Sequence, residues 1–280
     1  MHSVLRRHAA EGRRNTSLSP GAAAAIFLDS RLPLAYSGKD VNVTLILGTI
    51  ANGSTPHIVI SADGISLTTR GERQFVGSGT TQKVWHFRQA QASVGHFGLN
   101  KLWDEGSSSW VGIASELGAM AEADSLQGFG TLPHFLVETF GNRVAAALKR
   151  SESARRFAFW IAGIEDSGLA CIEEVCWERS DNRDVLPPRS KRFGQKGQGE
   201  IAAAGDGLDI VRPLLSERID GQYYPERLVQ EGVEFALEYH RRFLIAGLLE
   251  QSRQGKMVFG GKFLTVAISK DGSKNVTLDL

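Results

Sequence analysis

The residues best placed to do chemistry stand at the two ends of one predicted hairpin. "VTLILGTI", the loop "ANGSTP" and "HIVISADG", together Val43 to Gly64, read as two β-runs joined by an Asn-Gly-bearing loop. If Ile50 and His57 flank that loop symmetrically, antiparallel pairing sets Thr44 opposite Asp63. A hydroxyl able to act as a nucleophile then faces a carboxylate at the open end of the hairpin. A slip of one residue turns each side chain to the other face and dissolves the pairing.

Other chemistry-bearing stretches carry less. Cys171 and Cys176 stand five apart in "LACIEEVC", which in a strand puts them on opposite faces, as expected of reduced structural thiols. Glu173 and Glu174 are adjacent in the same strand and point to opposite faces, so they do not form an acid–base couple. "GSGTTQK", Gly77 to Lys83, lacks the Gly-Lys-Ser/Thr ending of a phosphate-binding loop, and no helical pattern follows it. "GQKGQG", Gly194 to Gly199, has the wrong glycine spacing for a nucleotide fingerprint and reads as a flexible turn. "PPRSKRFGQKG", Pro187 to Gly197, reads as a solvated basic loop. Trp103, Trp110, Trp160 and Trp177 are too scattered for an aromatic binding stripe, and the Asn-x-Ser/Thr matches at Asn42 and Asn52 mean nothing in a cytosolic chain.

The elements that must position these residues follow a regular order. Strands are expected at "KVWHFR" and "QASVGHF" after the first hairpin, then two helices at "SSWVGIASELGAMAEADS" and "LPHFLVETFGNRVAAALKRSES". A second hairpin follows at "RRFAFWIAGIED" and "LACIEEVCWER", then a strand at "EIAAAGDG". Helices are predicted at "LDIVRPLLSER" and "PERLVQEGVEFALEYHRRFLIAGLLEQ", the latter with Pro225 at its first position, and a last hairpin at "KFLTVAIS" and "KNVTLDL". Strands, two helices, strands, two helices, strands suits two packed antiparallel sheets with a helical pair on each outer face, a single α+β domain over 44–280.

Of 280 residues, 42% are hydrophobic and 22% charged, as in an ordinary globular chain. The net charge is +1, but residues 1–43 hold six Arg/Lys against three Asp/Glu, which leaves the body mildly acidic and without the basic footprint of nucleic-acid binding. No apolar run approaches the roughly 18 residues of a membrane span, and "GAAAAIFL" is cut short by Asp29 and Arg31. Residues 1–43 show no sustained period and are expected to be a disordered leader or translated upstream DNA.

"TLILGTIANG", "HIVISADGISL", "TTQKVWHF" and "ASVGHFG" together resemble the opening of proteasome β-subunits and of the peptidase subunit of the bacterial two-component ATP-dependent protease, members of the N-terminal-nucleophile (Ntn) hydrolases. "YPERLVQEGVEFALEYHRRFL" is similar to that family's late long helix and "VFGGKFLTVAISKDG" to its Gly-Gly-led final hairpin, so the resemblance runs from Thr44 to Leu280. It implies a four-layer αββα sandwich, with two antiparallel sheets between helical layers. It also implies a cytoplasmic threonine-type peptidase without cofactor or metal. The implied assembly is a homo-oligomeric ring that encloses the sites, with an ATPase unfoldase to feed it peptide or unfolded protein.

The same resemblance places catalytic Thr44 at the N-terminal nucleophile, Asp63 at the aspartate ending the second strand, and Lys83 at the active-site lysine. Gly95 matches the glycine whose backbone N–H forms the oxyanion hole, with Gly98 as the fallback, and His96 is taken as a loop residue and not a catalyst. The threonine's own α-amine, with a pKa of about 7.7 to 8.0, can act as base near neutrality where a lysine at about 10.4 cannot. Three departures stand out: Ala203 or Ala204 where the family has a serine, and Lys256 and Phe259 where it has an aspartate and a serine before the Gly-Gly. Asp206 and Ser252 are the available substitutes. A catalytically weak scaffold and a small-molecule amidase of the same fold are the competing expectations.

Thr44 cannot use an amine held in a peptide bond to Val43, and β-branched Val43 does not suit self-cleavage. Gly38-Lys39-Asp40 is compatible with a ribosome-binding AAGGA, and a GTG codon at Val43 would then start translation, with removal of the initiator Met exposing Thr44.

Overall fold

The structure, a computed structural model, describes residues 44–70, 73–78, 82–126, 128–215, 218–219, 222–278 and 280. The expectations for residues 1–43, including Asn42 and Val43, lie outside the described residues, as does the 79–81 part of "GSGTTQK".

In chain order the elements are β1 (Ile46–Ala51), β2 (His57–Ala62), β3 (Ser66–Arg70), β4 (Arg73–Ser78), β5 (Val84–Phe87), β6 (Ala92–Phe97), β7 (Lys101–Asp104) and β8 (Ser109–Gly112). There follow α1 (Ile113–Ala123), α2 (Leu132–Arg150), β9 (Arg156–Ile164), β10 (Ala170–Glu178), β11 (Arg189–Phe193) and β12 (Gly199–Ala204). The chain closes with α3 (Leu208–Val211), β13 (Arg218–Ile219), β14 (Gln222–Tyr223), α4 (Tyr224–Glu231), α5 (Val233–Arg253), β15 (Phe263–Ser269) and β16 (Gly272–Leu278). Two five-stranded antiparallel sheets dominate, ordered β12-β1-β2-β15-β16 and β11-β10-β9-β6-β5. The fold is therefore mixed α+β, as the element order predicts.

The period-2 pattern of the strands explains the packing. Ile46, Ile50, Ile58 and Ile60 of the first sheet meet Trp160, Ala162 and Ile172 of the second in one cluster between the sheets. The alternate residues Leu45 and Leu47 point the other way, onto Tyr239, Phe243 and Leu244 of α5. With both faces covered, β1 and β2 are buried at every position, so they read as near-continuous apolar runs. On the far side of the second sheet, Leu136, Phe140, Val144 and Ala147 form the inner stripe of α2 at helical spacing, against Phe157, Phe159 and Trp177. Cys171 falls in that outer cluster and Cys176 in the cluster between the sheets, opposite faces as their spacing requires.

Four expectations are corrected. Pairing of Ile46 with Ala62 and Ala51 with His57 shifts the first hairpin by one residue, so Asp63 stands opposite Leu45 and not Thr44. The basic stretch expected to be a loop contains an exposed edge strand, β11, paired with β10. "LDIVRPLLSER" yields only the single-turn α3 and a 3₁₀ turn at Arg212–Leu214, because Pro213 has no N–H to continue an α-helix. The expected late long helix is two helices, broken at Gly232 with φ 82°. "GQKGQG" is a turn, with Gly194 and Gly197 at positive φ.

Candidate active site

Thr44 immediately precedes Leu45 and β1, and both residues are buried. One residue past the end of β2, Asp63 is held by two contacts to the same neighbour of Thr44: its N–H donates to the Leu45 carbonyl at 3.2 Å, and its Oδ1 accepts the Leu45 N–H at 2.9 Å. Lys83, next to β5 on the second sheet, sends its Nζ to both oxygens of Asp63 at 3.1 Å each. Lysine and aspartate from opposite sheets thus meet where the strands end, 3% and 0% exposed. Burial raises the Asp63 carboxyl, opposed by the Lys83 charge and by the N–H groups of Leu45 and Ile65. The one-residue shift of the hairpin therefore replaces a side-chain pairing of Thr44 and Asp63 with a grip of Asp63 on the adjacent backbone.

β12 closes the other side of Thr44. Extending the pairing of Ile46 with Ala204 by two residues sets Thr44 opposite Asp206, and the Gly207 N–H donates to the Thr44 carbonyl at 3.2 Å. Gly205, at φ 99°, has room for no side chain: a Cβ there would lie 2.1 Å from that same carbonyl. Asp206 keeps part of its surface exposed, yet the protein packed around its carboxyl desolvates it and pushes it up to about 6, with Asp63 adding to the effect and Lys83 opposing it, so the three ionisable groups feel one another. Of the two substitutes available in the sequence, Asp206 is beside Thr44, whereas Ser252 lies in the last turn of α5.

Gly95 lies within β6, flanked on both sides by ladder partners, Val84 on β5 and Trp160 on β9. Gly98 follows the end of β6 at φ 101° and lines a cavity of about 730 Å³ that reaches Gly205 and Asp206. Only glycine fits there, since a Cβ would come 2.1 Å from the Arg156 carbonyl. His96 is a strand residue of β6 and not a loop residue, stacked on Trp85 with ring centroids 5.6 Å apart. Burial, reinforced by the Lys83 charge, pushes it down to about 3, which keeps the ring neutral.

Where the resemblance expects an aspartate and a serine before the Gly-Gly, Lys256 is exposed and Phe259 is fully buried against Phe263. The Gln251 side chain instead organises this segment: its Oε1 accepts the N–H of Val258 and of Phe259 at 3.0 and 3.2 Å, and its Nε2 donates to the Phe259 carbonyl at 2.7 Å. Sequence reasoning missed the cavity and Glu174 on its wall. A carboxylate inside the apolar run "ACIEEVCW" was the available signal, because a strand face that buries a Glu must supply it with donors.

Among the described residues no three His, Cys, Asp or Glu side chains cluster as metal ligands, and no helix is long and apolar enough to cross a membrane. No family model matches the chain, and no curated protein matches it.

Proposed function

We propose that the chain is a threonine-type peptidase of the proteasome-like Ntn hydrolase class, its sheets and outer helices forming that class's four-layer αββα sandwich. The observation that carries the reading is the buried Lys83–Asp63 pair gripping the backbone one residue after Thr44. A threonine hydroxyl is a weak nucleophile, and its own α-amine, once the bond to Val43 is opened, is a base of suitable strength. The charge of Lys83 lowers the pKa of hydroxyl and amine, and Asp63 keeps that charge in place.

In this reading the Thr44 Oγ1–carbon bond forms while the hydroxyl proton passes to the α-amine, giving a tetrahedral oxyanion. A backbone N–H, of Gly95 within β6 or of Gly98 just past its end, stabilises that oxyanion, and Gly98 is the one on the cavity wall. The C–N bond then breaks, the α-amine returns the proton to the leaving amine, and water hydrolyses the acyl-threonine ester. A homo-oligomeric ring and an ATPase feeder belong to the same proposal.

N-terminal sequencing of the protein from its native host, with a fluorogenic peptide screen, tests it. The expected result is a chain beginning at Thr44 whose turnover is abolished by Thr44→Ala. Turnover surviving that substitution removes Thr44 as nucleophile. A second reading, a scaffold of the same fold without turnover, is favoured by Phe259 and Lys256 at positions where the resemblance expects Ser and Asp; a chain beginning at Met1 with no turnover supports it.

A further inference from the structure

The cavity is lined by residues of β11 and β12, which are edge strands of their sheets among the described residues, and by Gly205 and Asp206 beside Thr44. Its floor is apolar: Trp160 and Phe193 lie with ring centroids 5.9 Å apart, and the small side chains of Ala202 and Ala204 on the same face leave width above them. Glu174 is the buried carboxylate of the wall, and both its oxygens are engaged, Oε1 by Arg156 at 2.6 Å and Oε2 by the Trp160 indole N–H at 2.7 Å. It is therefore satisfied internally and repels an incoming anion less than its charge suggests.

The rim is basic. Arg155 is paired with Asp181, and Arg156 with Glu174 and Glu178. Lys191 differs: its Nζ stands 4.5 Å over the Phe193 ring, and among the described residues no carboxylate lies within ion-pair distance of it. An exposed ammonium at the mouth of an apolar trough favours a ligand with an apolar stem and a negative end. Open strand edges alongside the trough suit an extended chain, whose backbone can pair with an edge while alternate side chains enter.

We propose that this cavity seats the substrate as an extended peptide carrying an acidic side chain, whose carboxylate reaches Lys191 while the backbone runs along the strand edges toward Thr44. This inference rests on the peptidase reading and adds the substrate class to it.

The experiment uses the full chain purified from its native host and sets of three peptides identical except for Glu, Gln or Lys at one position, scanned across both sides of the scissile bond. At one position or more the Glu peptide is expected to exceed the Lys peptide by roughly tenfold in kcat/KM, through KM, with the gap shrinking in about 0.5 M salt. Lys191→Glu, an exposed change on an edge strand, is expected to reverse the order. Equal kcat/KM for the three peptides at every position, or an unchanged order in Lys191→Glu, overturns the proposal while leaving the peptidase reading intact. If no peptide is cleaved, the peptidase reading fails, and calorimetric titration of the same peptides decides the cavity alone. Tighter binding of a Glu peptide, weakened by Lys191→Glu, then upholds it, and no difference between peptides overturns it.

Discussion

Lys83 donates through Nζ to both oxygens of Asp63 at 3.1 Å, while Asp63 Oδ1 also accepts the Leu45 N–H at 2.9 Å. Two opposite charges out of water offset each other's desolvation, but either one alone is left uncompensated. Lys83→Met is therefore expected to cost about 3–5 kcal/mol, read as a fall in the denaturation midpoint. Asp63→Asn combined with Lys83→Met is expected to cost less than the sum of the single changes, because the double variant holds no buried orphan charge. Strictly additive losses would show that the pair contributes no coupling in solution. Each of the three variants is also expected to lose turnover.

Much of this architecture was legible because it depends on local pattern. The α2 stripe and the hairpin of β9 and β10 need only periods of 3.6 and 2, and both lie where the pattern puts them. The register of the first hairpin was not legible, for a reason found in the other sheet. Asn52 is not an ordinary turn residue: it is buried, and its amide clamps Ala170 with two bonds of 2.8 Å, so the loop closes one residue later than symmetry suggests. β11 was hidden because an edge strand facing water carries Arg, Ser and Lys and loses its apolar alternation. The cavity could not be read at all, since Trp160, Glu174, Lys191 and Ala202 come from four strands that only the pairing of the sheets brings together.

His240 makes acid stability measurable at one residue. Its Nδ1 lies 2.6 Å from Ser61 Oγ and its Nε2 3.1 Å from Thr49 Oγ1, while Ser61 also meets Thr265 Oγ1 at 2.7 Å. Burial pushes this histidine down to about 3 from the usual 6.5. The unfolded chain then binds a proton below pH 6.5 that the folded chain refuses, so the contribution is intact above that pH and lost as pH falls toward about 3. Between pH 7.5 and 5 wild type is expected to lose about 2 kcal/mol more than His240→Gln. The comparison cancels the opposite trend of Asp206, whose raised pKa favours the folded state at lower pH. Equal losses in the two proteins, by urea titration at both pH values, would mean that the ring is protonated in the fold.

The cysteines are expected to resist thiol reagents. Both are free and buried, and burial pushes Cys171 up to about 12 and Cys176 upward as well. Reaction needs the thiolate, which burial disfavours at both, and an approach path, which is closed for Cys171 at 0% exposed and narrow for Cys176 at 7%. Native protein at pH 8 should consume no disulfide reagent on the time scale of minutes, and denatured protein should consume one equivalent for each of Cys171 and Cys176. Rapid native labelling would show that the strand carrying them opens in solution.

Gly48 sets how closely the two sheets approach. It lies in the middle of β1, and a Cβ on it would stand 2.4 Å from Ile172 Cδ1 and 3.4 Å from Trp160 of the facing sheet. Gly48→Ala should therefore force the Ile172 side chain off its preferred rotamer or move the sheets, at a cost of about 1–3 kcal/mol. The obstacle is the end of one side chain, and Ile172→Val removes that atom at a cost of about 0.5–1.5 kcal/mol on its own. If the close approach is what excludes a side chain at position 48, the double variant is more stable than the two single losses predict and stands level with Gly48→Ala alone. A double variant whose loss equals the sum would place the strain in the β1 backbone instead, since residues in contact are expected to couple and independent ones to add.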